Sequence, residues 1–180
     1  MQKVTYLSAK KEAFSDSYIA IRSKENRVLT DEEVRQLPYT AASNPNANEW
    51  KVRQHSSKRF LDYLSNKKES LPILDIGCGN GWFSHLMSQI PNTTVVGLDI
   101  NAIELEQAAT VFDAPNLNFV YGDIFEINPS VENVTFFLRR NSYYRQSFLY
   151  KRKSCRCPKK IDCLLHKFRF SRNGKLLLPS

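Results

Sequence analysis

This sequence predicts an α/β fold with a parallel sheet at its centre, and three observations carry that expectation. First, "PILDIG", "TTVVGLDI" and "NLNFVYGDIF" are short, nearly continuous apolar runs, the pattern of strands buried on both faces. Second, "GWFSHLMSQI" and "NAIELEQAATVF" lie between them. The first of these carries Trp82, Phe83, Leu86, Met87 and Ile90 at helical spacing. Strand–helix–strand–helix–strand alternation implies parallel strands joined by right-handed crossovers. Third, an acid stands at each strand end, Asp75, Asp99 and Asp123, around one glycine-rich turn. A single aspartate there is an ordinary cap or turn former. Three in register beyond the carboxyl ends of parallel strands mark the edge where such sheets bind ligands.

The first 45 residues are polar with scattered aromatics. Within them "LTDEEVRQLP" predicts a short helix capped by Thr30 or Asp31, with Glu32 and Glu33 in its first turn and Pro38 ending it. "TAASNPNANEW" is turn-rich and predicts a loop. From about Glu49 to Lys67 a helical period places Trp50, Phe60, Leu61 and Leu64 near one face. Asn101 is the expected cap of the helix after the second strand. Further on, "NVTFFL" predicts a fourth strand from its β-branched and aromatic content.

The 180 residues suit one domain, two at most, and 42% apolar with 24% charged residues are globular values. No run of 18 or more apolar residues is present, so no membrane span or membrane partner is expected. The N-terminal residues lack a signal peptide's apolar core. The expected location is cytoplasmic, with reduced cysteines. The net charge of +8 hides a break. Residues 1–130 hold 13 Lys and Arg against 16 Asp and Glu, whereas residues 131–180 hold 13 basic residues against Glu132 and Asp162 alone. The expected divisions are a helical and loop segment over 1–48, a ligand-binding α/β half over 49–130, and a basic, cysteine-containing tail over 131–180.

The turn "GCGNG" places glycines at 77, 79 and 81, and the sixth position counted from Gly77 is Trp82. A dinucleotide-binding turn needs a small residue there. Asp75, two residues before Gly77, would also repel a pyrophosphate. Asp99, at the end of the second strand, is placed to accept from ribose hydroxyls. A ribose without phosphate, on a ligand with a positive centre, fits S-adenosylmethionine. "ILDIGCGNGWFS", "VVGLDI" and "FVYGDIF" together resemble the first three motifs of the class I S-adenosylmethionine-dependent methyltransferases, over about residues 71–126.

The resemblance implies a Rossmann-like, doubly wound parallel sheet with S-adenosylmethionine as cofactor. It implies that Asp75, Gly77 and Gly79 border the methionyl part and that Asp99 binds the ribose. It places Ile100 on the adenine, and has Asp123 accept from the adenine amino group with Ile124 beside it. The helix of "NANEWKVRQHSSKRFLDYL" would close over the cofactor, with Trp50 and Arg53 toward the methionine carboxylate, or with Trp50 as helix core and Arg53 as a solvated charge. Cys78 reads as a small packing residue and His55 as a surface residue.

Past "NVTFFL" the resemblance fades. "NGKLLL" faintly echoes the family's fifth strand, and nothing is left for its sixth and seventh, so a sheet incomplete after the fourth strand is expected. A truncated or out-of-frame ending is the favoured account of the tail. The alternatives are a basic module gripping nucleic acid through Lys151, Arg152, Lys153, Arg156, Lys159 and Lys160 with Tyr143, Tyr144 and Tyr150, zinc held by Cys155, Cys157, Cys163 and His166, and a divergent but complete compact fold. The zinc spacing matches no known finger, and no metal is assigned. The favoured function is methyl transfer from S-adenosylmethionine to a small-molecule acceptor. The alternatives are a non-catalytic module binding S-adenosylmethionine or nucleic acid, and a nicotinamide-dependent oxidoreductase. Such transfer is largely positioning, so no catalytic residue is named.

Overall fold

The computed structural model describes residues 3–10, 12–67 and 70–123 and, beyond them, the backbone of four short strands. The chain order is β1 (Thr5–Tyr6), α1 (Glu12–Lys24), α2 (Asp31–Gln36), α3 (Ala47–Ser65), β2 (Leu71–Ile76), α4 (Trp82–Ser88), β3 (Thr93–Asp99), α5 (Ala102–Val111), β4 (Leu117–Tyr121), β5 (Thr135–Leu138), β6 (Phe148–Tyr150), β7 (Arg169–Phe170) and β8 (Leu176–Leu177).

The main sheet runs β1-β4-β3-β2-β5-β6. The first four pairings are parallel, and β6 runs antiparallel to β5. The chain moves outward from β2 through β3 to β4, then returns to place β5 on the other side of β2, aligning Ile73 with Thr135 and Ile76 with Leu138. The strand order therefore reverses at β2, and the crevice past its carboxyl end is where open α/β sheets bind ligands. The expected doubly wound parallel sheet is present, with "NVTFFL" in the fourth-strand position. β8, in "NGKLLL", is not a fifth strand of this sheet; it pairs antiparallel with β7 in a two-stranded sheet. Only a few residues separate those two strands, so their closure costs little loop entropy.

Among the described residues the helices pack on one face of the sheet. α4 packs on β3 and β4, α5 on β4, α3 against α4, and α2 against α5. One continuous core joins Leu64 of α3, Ile73 of β2, Met87 of α4, Val95 of β3, Leu105 of α5 and Phe119 of β4. The first 48 residues hold two elements with no clear local pattern, α1 and the edge strand β1. Leu7 N–H donates to Tyr121 O at 2.9 Å. The Tyr6 hydroxyl and the Lys10 ammonium both donate to Glu106 of α5, at 2.6 and 2.5 Å. α2 has the expected Thr30 cap, closed by Glu33 into a capping box. Asn101 caps α5, accepting from Ile103 N and Glu104 N at 3.0 and 3.3 Å.

Candidate functional site: a cleft over the glycine turn

The turn after β2 is built for close approach. Gly77 N and Cys78 N donate to Leu98 O at 2.7 and 3.2 Å, which ties the turn to β3. Gly77, Gly79 and Gly81 all have positive φ. At Gly81, with φ of +71°, a Cβ would lie 2.6 Å from the Phe119 ring and 2.8 Å from the Ala108 Cβ, so only glycine lets α4 start this close to β4 and α5. Trp82, where a dinucleotide turn has a small residue, is buried and meets Trp50 edge-on at 5.5 Å. It anchors α3 beside the turn. Cys78 is fully buried against Gly97 as a packing residue, and His55 is exposed, both as expected.

Asp99 is the best-oriented acid. Gly79 N donates to its Oδ2 at 2.7 Å and Asn101 N to its Oδ1 at 2.9 Å, which aims the carboxylate across the turn. Gly122 N donates to the backbone oxygen of Asp99 at 3.0 Å, joining the ends of β3 and β4. Asp75 lies elsewhere. It is fully buried, accepts from Ser84 Oγ at 2.6 Å, and does not line the cleft. Ile100 and Asp123 are half-buried just past the ends of β3 and β4, outside the cleft lining, and Ile124 lies outside the described residues. So do the tail lysines and arginines at 151–160 and Cys155, Cys157, Cys163 and His166.

The cleft brings together Gly77, Gly79, Asn80 and Asp99 of the turn and β3 with Trp50 and Arg53 of α3. Both readings of α3 meet here. Trp50 is core, and Arg53 stacks over its ring at 4.7 Å while facing the cleft. The sequence reading missed the opposite wall, Tyr18 and Arg22 of α1, Arg27, and Glu104 of α5. The Tyr18 hydroxyl donates to Glu104 at 3.3 Å. Burial, and then the Glu104 charge, push that hydroxyl's pKa well up, so it stays protonated.

An alternating strap of charges links these walls. Glu104 meets Arg22 at 3.6 Å, and Arg22 meets Glu25 at 3.9 Å. Arg27 lies 3.1 Å from Glu25 and grips both oxygens of Glu49, which also pairs with Arg53. Burial pushes the Glu49 carboxyl up, but the Arg27 hydrogen bond and the Arg53 and Arg27 charges outweigh it and hold it below the usual range. No local pattern signals this strap, because its members are scattered from residue 22 to residue 104. With α1 in place the cleft keeps a cavity of about 30 Å³, room for little more than a water molecule.

Comparison with known proteins agrees with this geometry. A family model described as a methyltransferase domain matches residues 67–142. Malonyl-[acyl-carrier protein] O-methyltransferase 1 of Ilyobacter polytropus is 34% identical over 80 residues, covering 43% of this chain and 30% of that protein. Trans-aconitate 2-methyltransferase of Deinococcus radiodurans is 33% identical over 86 residues, covering 47% and 33%. A TehB-like S-adenosylmethionine-dependent methyltransferase of Corynebacterium glutamicum, known as a solved structure, is 22% identical over 53% of each chain, with a TM-score of 0.40. The chain thus spans about a third of the length of the two curated relatives. Residues 67–142, which hold the switch point at β2 and the glycine turn, thus carry the likeness to a methyltransferase domain.

Proposed function

We propose that this chain binds S-adenosylmethionine in the cleft over the glycine turn and serves methyl transfer to a small-molecule acceptor. The observation that carries the reading is Asp99, a carboxylate held by two backbone N–H groups beside Gly77 and Gly79, with Arg53 on the facing helix. The donor set suits the cofactor. Asp99 accepts from the ribose hydroxyls, and Arg53, stacked on Trp50, meets the methionine carboxylate. Gly77 and Gly79 let the methionyl chain lie against backbone. Buried Trp82, where a dinucleotide-binding turn needs a small residue, weighs against a dinucleotide. Ile100 packs on the adenine, and Asp123 accepts from its amino group. Asp75, behind the turn, acts through Ser84 and its charge rather than by contact.

When bound, the cofactor supplies a methyl group already activated by its positive sulfur, so the protein's task is to bind, orient and exclude water. The relatives named for malonyl-[acyl-carrier protein] and trans-aconitate support an acceptor group of small size.

Calorimetric titration with S-adenosylmethionine, and separately with S-adenosylhomocysteine, tests this. Micromolar binding of both is expected, and Asp99→Ala should weaken each by roughly 1–3 kcal/mol, as for a lost hydrogen bond to a charged group. Unchanged affinity in that variant removes Asp99 from the ribose role. A folded sample that binds neither ligand removes the cofactor reading.

A further inference from the structure

A second cavity of about 520 Å³ opens beside the cofactor cleft, between the end of α1, α2 and the loop before α3, within the usual size range of small-molecule sites. The two share Asn26 and Leu29 as a common wall. The walls are tied together. Asn46 Nδ2 donates to Glu25 O and Asn26 O, at 3.3 and 3.1 Å, joining the loop to the end of α1. Asn46 N, in turn, donates to Asn44 Oδ1 at 2.8 Å.

Two large apolar side chains line this cavity while remaining exposed, Val28 at 53% and Tyr39 at 67%. An aromatic and an aliphatic surface left open around one cavity suit a ligand with an apolar or ring-shaped body. The polar lining is a set of hydroxyls and amides, among them Gln36, Thr40 and Asn44. Its charge has one sign: Glu33 is the lone ionisable acid of the lining, and no Lys, Arg or His belongs to it. The Glu33 carboxylate is held in place by Thr30 N and Oγ1, at 2.8 and 3.0 Å. A carboxylate ligand would meet repulsion there and no compensating cation.

We propose that this cavity is the acceptor subsite, and that it takes an uncharged or cationic small molecule with an apolar ring rather than an anion. This rests on the cofactor reading of the neighbouring cleft. It sets the chain apart in charge from relatives named for malonyl and aconitate acceptors.

Benzylamine, benzamide and benzoate have one shape and three charges. Saturation-transfer NMR on the full chain, with S-adenosylhomocysteine binding measured separately by calorimetry, tests the proposal. Benzylamine and benzamide should bind, and benzoate should bind several-fold more weakly. Tyr39→Ala, at an exposed side chain, should weaken the first two several-fold while leaving the S-adenosylhomocysteine affinity and the melting temperature unchanged. Gln36→Lys, also exposed, should reverse the preference and admit benzoate. A structural role for these residues predicts no such reversal. Equal binding of all three probes overturns the proposal. So does indifference to both substitutions, or the absence of probe binding in a sample that binds S-adenosylhomocysteine. Failure to bind S-adenosylhomocysteine overturns the cofactor reading beneath it, and the calorimetry reports that separately from the probe spectra.

Discussion

At Gly81 the local backbone and the long-range packing make the same demand. Its φ of +71° is left-handed, and its missing side chain leaves the space that Phe119 and Ala108 occupy. Left-handed backbone costs an alanine about 1–2 kcal/mol, and overpacking adds about 1–3 kcal/mol. Gly81→Ala should therefore destabilise the fold by about 2–5 kcal/mol, measured by urea unfolding. A loss well under 1 kcal/mol would mean that α4 can slide away from β4 freely. Gly81 and Asp99 were legible from residue type and spacing, whereas Trp50 and Arg53 entered only through the family resemblance. Asp75 was legible as part of the same pattern, yet it points into the protein, because strand residues alternate faces and Ser84 waits behind it.

Between elements, the sequence reading sees least at α1. Its polar composition left it without a clear stripe, yet Tyr18 and Arg22 close one side of the cleft. With so little room left there, S-adenosylhomocysteine must displace these side chains to bind. The Arg22–Glu104 pair, with largely buried side chains, opposes that step. Arg22→Ala should speed association in stopped-flow fluorescence, with Trp50 and Trp82, the two tryptophans of the chain, as reporters. Raising the salt concentration should act on the unsubstituted chain in the same direction but more weakly, because a largely buried pair is screened little. An association rate unchanged by both would mean that α1 is no barrier. β1 shows the same gap between pattern and outcome. Two residues carry no strand signal, and only the open edge of β4, with Glu106 to receive Tyr6 and Lys10, makes them one.

For the whole molecule, stability should depend on pH in two steps. His85 lies stacked on Phe112 at 4.4 Å, and burial pushes its pKa down from the ordinary value of 6.5. The unfolded chain then binds the proton more readily. The neutral form's stabilisation is fully present above the unfolded value and is lost as pH falls through the folded one. Hydrogen bonds from Lys10 and Tyr6 lower the Glu106 carboxyl, and the arginines lower that of Glu49. Their contribution is present above the ordinary value of 4.5 and is lost below it. The melting temperature should fall from about pH 7.5 to about pH 5.5. His85→Phe, which keeps a ring against Phe112, should flatten that first step and leave the acidic one. An identical slope in the variant would remove His85 as its source.

The sequence by itself determined the alternation of strands and helices, the glycine turn and the acid at each strand end. These follow from local rules: apolar runs between turn residues, caps such as Thr30 and Asn101, and glycines where φ must be positive. Those same local features identified the cofactor class, since a turn and the acid twenty residues on are fixed by one crossover. Only the tertiary structure decided which residues wall the cleft, where Asp75 points, that β8 pairs with β7, and that a second cavity opens beside the first. Each of these depends on contacts between segments far apart in the chain, such as Arg22 with Glu104 or Trp50 with Trp82. Such contacts are set by packing geometry and leave no periodicity or spacing in the sequence to be read.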